Sequence, residues 1–277
     1  MKKLDDLLNY VSYYNIIGNT DKNVANITYN SRKSSVNSIF VAVKGLEYDG
    51  HNYVESAINN GANIIFCEYL PNIINREVTY IQCANTRITL AELSHAFFDF
   101  PANKLKIIGI TGTNGKTTIS FLLKSIFDAA GYNSAIIGTT GIYYNNEFYN
   151  ATHTTPESLE LAEIFDDLQK KNIEYVFMEV SSHALALYRT YKIDFKAAIF
   201  TNLSLDHLDY HKNMDDYASA KKILFEGLSD SAISLLNGDD KYAKFMIENI
   251  SNKNIYFVGR NISNDFVIKN EKLNLSF

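Results

Sequence analysis

The sequence predicts an α/β protein of two domains, the second built on a mostly parallel sheet covered by helices. Three observations carry this. Short β-branched or aromatic runs alternate with helical patterns along most of the chain. Several runs in the second half are continuously apolar, as strands covered on both faces are. A Phe100-Pro101 break separates two stretches of different rhythm, and 277 residues suit two domains.

In the first stretch, SIFVAV (38–43), NIIFCEY (63–69) and VTYIQC (78–83) read as strands. Between the first two, HNYVESAINNGA has a helical pattern with Gly61 placed to end it. TRITLAELSHAFFD (86–99) reads as a second amphipathic helix that must stop before Pro101. The domain division is therefore expected at 1–102 and 103–277.

The second stretch opens with the apolar strand KIIGIT (106–111), a glycine turn and the helix KTTISFLLKSIFDAAG. SAIIGT (134–139), YVFMEVS (175–181), AAIFTN (197–202) and SAISLLN (231–237) read as further strands. ESLELAEIFDDLQKK (157–171), MDDYASAKKILFEGL (214–228) and DKYAKFMIEN read as the intervening helices. NIYFVGR, DFVIKN and KLNLSF are expected to be short antiparallel strands.

Composition excludes several classes. The chain is 46% hydrophobic and 21% charged, which rules out a collagen, a disordered tail and a disulfide miniprotein. No apolar run approaches the about 18–20 residues of a membrane span, and the N-terminus lacks the apolar core of a secretory signal. The expectation is a cytoplasmic protein with no membrane partner. With 26 basic and 31 acidic residues the net charge is −5, which argues against a nucleic-acid partner. Cys67 and Cys83 can be read as a redox pair or as two small buried hydrophobes; without C-x-x-C, a zinc site has little support.

The strongest local signal is GITGTNGKTT (109–118), between an apolar strand and a helix. Small residues let backbone N–H groups face phosphate oxygens, and the helix N-terminus favours an anion. Lys116 would reach the β/γ-phosphates and the Thr117 hydroxyl would ligate Mg²⁺. The strict G-x4-G-K-T spacing fails, because Ile110 stands where the first glycine belongs.

Glu179, in MEVSSH, stands at a strand's carboxyl end, where open α/β sheets gather ligands. It reads as a Mg²⁺ ligand or as a plain strand-end carboxylate. A third cluster, Asp206, His207, Asp209 and His211, follows the next strand. It suits a magnesium site beside the phosphate loop, a zinc hydrolase, or an acidic surface turn.

TGTNGKTT, MEVSSHAL, FTNLSLDHLDYH and YASAKKILF, in this order and spacing, resemble the Mur ligases of peptidoglycan synthesis, with the closest match to the MurE type. Asn30-Ser31-Arg32 and SIFVAVKGLEYDGHNYVESAINNGA resemble the family's uridine-binding domain, and His153-Thr154-Thr155-Pro156-Glu157 its nucleotide-sugar-contacting loop. The resemblance implies a small N-terminal α/β uridine-binding domain and a central ATP-binding domain with a phosphate loop. It implies that Gly112, Thr113, Asn114, Gly115, Lys116, Thr117 and Thr118 hold ATP phosphates. Thr117 and Glu179 would bind one Mg²⁺, and Glu179 and His207 a second. Lys221 matches the lysine carbamylated by CO₂, whose carboxylate then supports the second metal. Ser31, Thr154, Thr155, Ser181 and Arg189 would hold UDP-MurNAc-L-Ala-D-Glu. Asn30 stands where the family often has Asp, and Leu187 where some members have Gln.

The implied reaction is ATP-dependent addition of meso-diaminopimelate or L-lysine to the D-Glu carboxylate through an acyl phosphate, by a monomer. The resemblance also leads to the expectation that the second domain is cut before its last elements, that the family's C-terminal domain is lacking, and that the chain alone has little activity. Competing readings are a MurF or folylpolyglutamate-type ligase, a P-loop kinase, and a non-catalytic nucleotide-sugar-binding fragment.

Overall fold

The computed structural model describes residues 1–45, 48–145, 147–206 and 210–269. The chain folds as two compact units. The first comprises Met1–Pro101 with Glu157–Asp167 and Leu187–Lys192; the second comprises Ala102–Pro156, Leu168–Ala186 and the chain from Ile193 onward.

The first unit contains β1 (Lys2–Lys3), α1 (Leu4–Leu8), β2 (Asn15–Ile17), β3 (Asn23–Val24), β4 (Asn26–Thr28), β5 (Ser38–Val41), α2 (Val54–Asn59), β6 (Ala62–Cys67), β7 (Thr79–Gln82) and α3 (Thr86–Phe97). Its five-stranded sheet has the order β2-β7-β6-β5-β4, parallel except for the β2–β7 pair. Successive strand residues point to opposite faces, and this produces two cores. Ile39, Val41, Ile64, Phe66 and Ile81 pack with Leu4 and Leu7 of α1 and Leu90 and Leu93 of α3. Phe40, Ile65, Cys67 and Tyr80 pack with Val54 and Ala57 of α2. Both cysteines are buried, and burial pushes the Cys67 thiol up to about 12 and raises Cys83 as well. That disfavours the thiolate which redox chemistry needs.

The second unit contains β8 (Lys106–Thr111), α4 (Lys116–Ala129), β9 (Ser134–Gly138), β10 (Gly141–Tyr144), β11 (Glu147–Tyr149), β12 (Tyr175–Glu179), α6 (Ser182–Ala186), β13 (Phe195–Phe200), α7 (Met214–Glu226), β14 (Ile233–Asn237), α8 (Ala243–Met246), β15 (Asn254–Gly259) and β16 (Phe266–Val267), while α5 (Ser158–Lys170) runs from the first unit into it. The sheet order is β11-β10-β9-β12-β8-β13-β14-β15-β16. From β9 to β16 every pairing is parallel. The chain moves from β8 outward to β9 on one side and from β13 to β14 on the other. This reversal beside β8 is the kind of switch point where such sheets bind ligands.

Three sequence expectations need correction. NIYFVGR and DFVIKN form β15 and β16, but both pair parallel, not antiparallel. The chain recrosses between β14 and β15 through α8, and an Asp239 carboxylate that accepts from Arg260 N and Asn261 N turns it again before β16. KLNLSF lies outside the described residues. The helix expected over DKYAKFMIEN is confined to Ala243–Met246, because the Asp240 side chain caps a turn at Tyr242 N and Asn249 takes a positive φ. The antiparallel hairpin β10–β11 and the short elements before residue 29 were not anticipated.

Asn85 Oδ1 accepts from Arg87 N and Ile88 N at 2.9 and 3.3 Å and so starts α3. Asn85→Ala is expected to destabilise the first unit by about 1 kcal/mol. Urea unfolding followed by far-UV circular dichroism measures this, since the chain has no tryptophan.

Candidate functional site

The parallel register of β12 and β13 on β8 aligns Glu179 with Ile110 and Phe200 with Thr111. The loops that leave these strands therefore start at one level. The first, Gly112–Gly115, leads into α4, and Ile119 N is the first amide to bond back, to Gly115 O at 3.0 Å. Helix geometry leaves the N–H groups of Gly115, Lys116, Thr117 and Thr118 outside the ladder, as donors for an anion. Gly112 has φ +143°, and a Cβ there would run into Thr201 Oγ1, so no other residue suits this turn.

Thr113 N donates to Asn202 O at 2.8 Å, and Asn114 N donates to Asn202 Oδ1 at 3.0 Å. These two loop amides are therefore used in holding the loop. Lys116 Nζ folds back onto Gly112 O and Thr113 O, at 2.9 and 2.7 Å. Burial lowers its pKa, against the opposing charges of Glu179 and Asp206.

Glu179 is 1% exposed, and both of its carboxylate oxygens accept hydrogen bonds. Oε1 accepts from Thr117 Oγ1 at 2.8 Å and from Thr139 N at 3.1 Å, and Oε2 accepts from Thr139 Oγ1 at 3.1 Å. The close approach requires Gly138, where a Cβ would collide with the carboxylate. Thr117, in the first turn of α4, and Glu179, at the end of β12, are thus a contiguous set of oxygen ligands, which suits a hard cation such as Mg²⁺. Among the described residues no group of three or more His, Cys, Asp or Glu side chains suits a metal ion. His207 and Asp209 lie outside the described residues.

Lys221, on α7, is 1% exposed, donates to Gly112 O at 3.0 Å and lies 4.4 Å from the centre of the Tyr217 ring. Burial above all, then the Lys116 charge, lowers its pKa to about 7, while Asp206 pulls the other way. Tyr217 OH lies 3.4 Å from Thr113 Oγ1, so α7 packs against the Gly112–Gly115 loop. His211 Nε2 lies 2.8 Å from Ser182 Oγ, which ties the loop after β13 to the start of α6.

Thr155 Oγ1 donates to Glu179 O at 2.9 Å and accepts from Ser181 N at 3.0 Å, and Thr154 Oγ1 lies 3.0 Å from Thr139 Oγ1. Of the residues expected to hold a nucleotide-sugar peptide, these three gather around Glu179. Ser31 and Arg189 belong to the first unit. There a cavity of about 620 Å³ is lined by Tyr29, Ser31, Arg32, Tyr53, Arg87 and Glu157, among others, and Arg189 Nε lies 2.6 Å from Glu157 Oε1. Asn30 Oδ1 caps the turn Ser31–Lys33 by accepting from Arg32 N at 3.0 Å, a task that an amide performs as well as a carboxylate.

Sequence reading passed over Gly138, Thr139, Asn202 and Tyr217. A glycine ending an apolar strand was a usable signal for Gly138 and Thr139. Nothing local marks Tyr217, which matters only through its position against Thr113.

Residues 110–276 match the model of the Mur ligase middle domain, and residues 23–98 that of the Mur ligase family catalytic domain. A UDP-N-acetylmuramoyl-L-alanyl-D-glutamate--2,6-diaminopimelate ligase of Clostridium perfringens is 43% identical over 252 residues, covering 91% of this chain and 51% of the relative. The enzyme of that name from Phocaeicola vulgatus is 40% identical over 251 residues, covering 91% and 52%. A solved structure of that name superimposes with TM-score 0.80 at 26% identity, covering 95% of this chain and 54% of the other. Acinetobacter baumannii MurF shares the fold, with TM-score 0.64 at 20% identity over 94% and 53%. The chain spans about half the length of the curated relatives it matches.

A lysine whose pKa is about 7 in the folded state and ordinary when unfolded makes the unfolded chain bind more protons above pH 7. Stability should therefore rise with pH from 7 to 9 in CO₂-free buffer, and Lys221→Met should flatten that rise. Urea midpoints across this range check the sign.

Proposed function

The chain belongs to the Mur ligase family, and on that premise we propose that it carries the substrate- and ATP-binding parts of a ligase of the MurE type. The proposed reaction joins the amino group of a diamino acid to the D-Glu carboxylate of UDP-MurNAc-L-Ala-D-Glu. The relatives' printed names favour 2,6-diaminopimelate over lysine as the amino acid. The observation that carries the proposal is the convergence of a phosphate loop, the Thr117–Glu179 contact and a buried lysine of lowered pKa behind them. A kinase or a plain nucleotide-sugar binder gives no reason to bury Lys221 there.

In the proposed mechanism a carboxylate oxygen of D-Glu attacks the γ-phosphorus and ADP leaves. The diamino acid's nitrogen then attacks the acyl carbon, phosphate leaves and the nitrogen loses its proton. A carboxylate is already ionised, so the site has to position and neutralise charge. Lys116 and the N–H groups of Gly115 to Thr118 would hold the phosphates. Thr117 and Glu179 fit Mg²⁺, which when bound screens phosphate charge; His207 is proposed for a second ion. Ser31 and Arg189 in the first unit, and Thr154, Thr155 and Ser181 in the second, are proposed for the UDP-linked precursor.

The Lys221 amine is partly neutral at pH 7, and only the neutral amine is nucleophilic. It can attack CO₂, forming an N–C bond and releasing a proton. The carbamate carries negative charge beside Lys116, which relieves the repulsion between two buried cations.

Two measurements test this reading. Lys116→Ala should weaken binding of ATP with Mg²⁺ by about 10-fold or more, read by calorimetry, since a charge-assisted bond to phosphate is lost. Labelled bicarbonate should give a carbamate carbon signal in NMR that Lys221→Ala abolishes. Equal ATP affinity, or a signal that persists in the variant, would refute the corresponding role.

A further inference from the structure

The segment Thr201–Leu203 after β13 is held from one side and holds on the other. From the end of β14, Asn237 Nδ2 donates to Thr201 O at 2.8 Å, and Asp240 Oδ2 accepts from Leu203 N at 2.9 Å. The second Asp240 oxygen accepts from Tyr242 N at 2.8 Å, which fixes the carboxylate's orientation. The residue between the two anchored positions is Asn202. It meets the phosphate loop through its backbone oxygen on Thr113 N and through both side-chain atoms, Oδ1 accepting from Asn114 N and Nδ2 donating to Asn114 O at 3.1 Å. Thr201 Oγ1 adds a fourth bond, to Asn114 O at 2.6 Å.

We propose that Asp240 and Asn237 are positioning residues for nucleotide binding, acting through Asn202 on the phosphate loop. The inference rests on the reading of Gly112–Thr118 as the nucleotide's phosphate site. Among the described residues, the side-chain hydrogen bonds of both go to the Thr201–Leu203 segment and to their own neighbours in the chain. Their effect follows from geometry: without them Thr201 O and Leu203 N lose partners, the Asn202 backbone is free to rotate, and the amides of Thr113 and Asn114 lose the acceptors that shape the loop. A loop whose N–H groups must converge on phosphate oxygens then has to be ordered by the ligand itself, and affinity falls by that ordering cost.

The test uses a fluorescent ADP with Mg²⁺ and the 277-residue chain, with far-UV unfolding measured alongside. Asp240→Ala and Asn202→Ala are each expected to weaken ADP binding about ten-fold. The double variant should bind no more weakly than Asn202→Ala alone, because the two act in series. A general loss of structure would instead give losses that add. Asp240→Asn, which keeps one acceptor oxygen, should fold in any case and bind with intermediate affinity. Wild-type affinity in both Asp240 variants, or additive losses in the double variant, would overturn the proposal. Failure of the unaltered chain to bind ADP refutes the nucleotide reading itself, and this inference with it.

Discussion

The parallel pairing of β8 with both β12 and β13 is the constraint on which the second unit depends. It sets the carboxyl ends of three strands at one level, so that the Gly112–Gly115 loop, Glu179 and the Thr201–Leu203 segment leave the sheet side by side. Parallel strands need crossover connections, and the helices that make them deliver further parts. The helix after β8 brings its N-terminal amides and Thr117, and α7 brings Tyr217 and Lys221 up against the same loop. A shift of register by one residue would turn every side chain to the other face and separate Thr117 from Glu179.

The electrostatics follow from what this convergence buries. Lys116 and Lys221 bring two buried amines near the N-terminus of α4, with carboxylates at Glu179 and Asp206 to favour their charged forms. Burial without a close carboxylate partner lowers the pKa of a cation, and both lysines respond in that direction. Backbone carbonyls of Gly112 and Thr113 accept hydrogen bonds from them. A polyanionic ligand would replace those carbonyls with a better partner for Lys116. In the first unit the charges are differently arranged: Glu157 sits between Arg189 and Arg87, at 2.6 and 3.7 Å, on the wall of an aromatic-lined cavity.

Much of the fold was legible because its signals are local. The apolar runs at 106–111 and 175–181 read as strands, since continuous burial on both faces demands it, and the structure has β8 and β12 there. The tail was misread for the opposite reason: NIYFVGR and DFVIKN carry strand propensity but nothing that states direction. Their parallel pairing depends on the crossover through α8 before β15 and on a turn organised by the distant Asp239 before β16. The hairpin β10–β11 was missed although IYY and EFY flank two asparagines, a recognisable turn signal. Among site residues, Gly112 and Lys116 are marked by the glycine pattern and Glu179 by its strand end. Asn202, Thr139 and Asp240 were invisible as parts of the candidate site, because their partners lie 37 to 88 residues away in the chain.

The sequence by itself determined most of the element types and the family, because periodicity and short motifs are written in neighbouring residues. Only the tertiary structure decided which strand ends meet, which carboxylate faces Thr117, and that Lys221 loses its solvent and with it its ordinary pKa. Those outcomes are set by register, crossover path and burial, which are properties of segments brought together from distant parts of the chain.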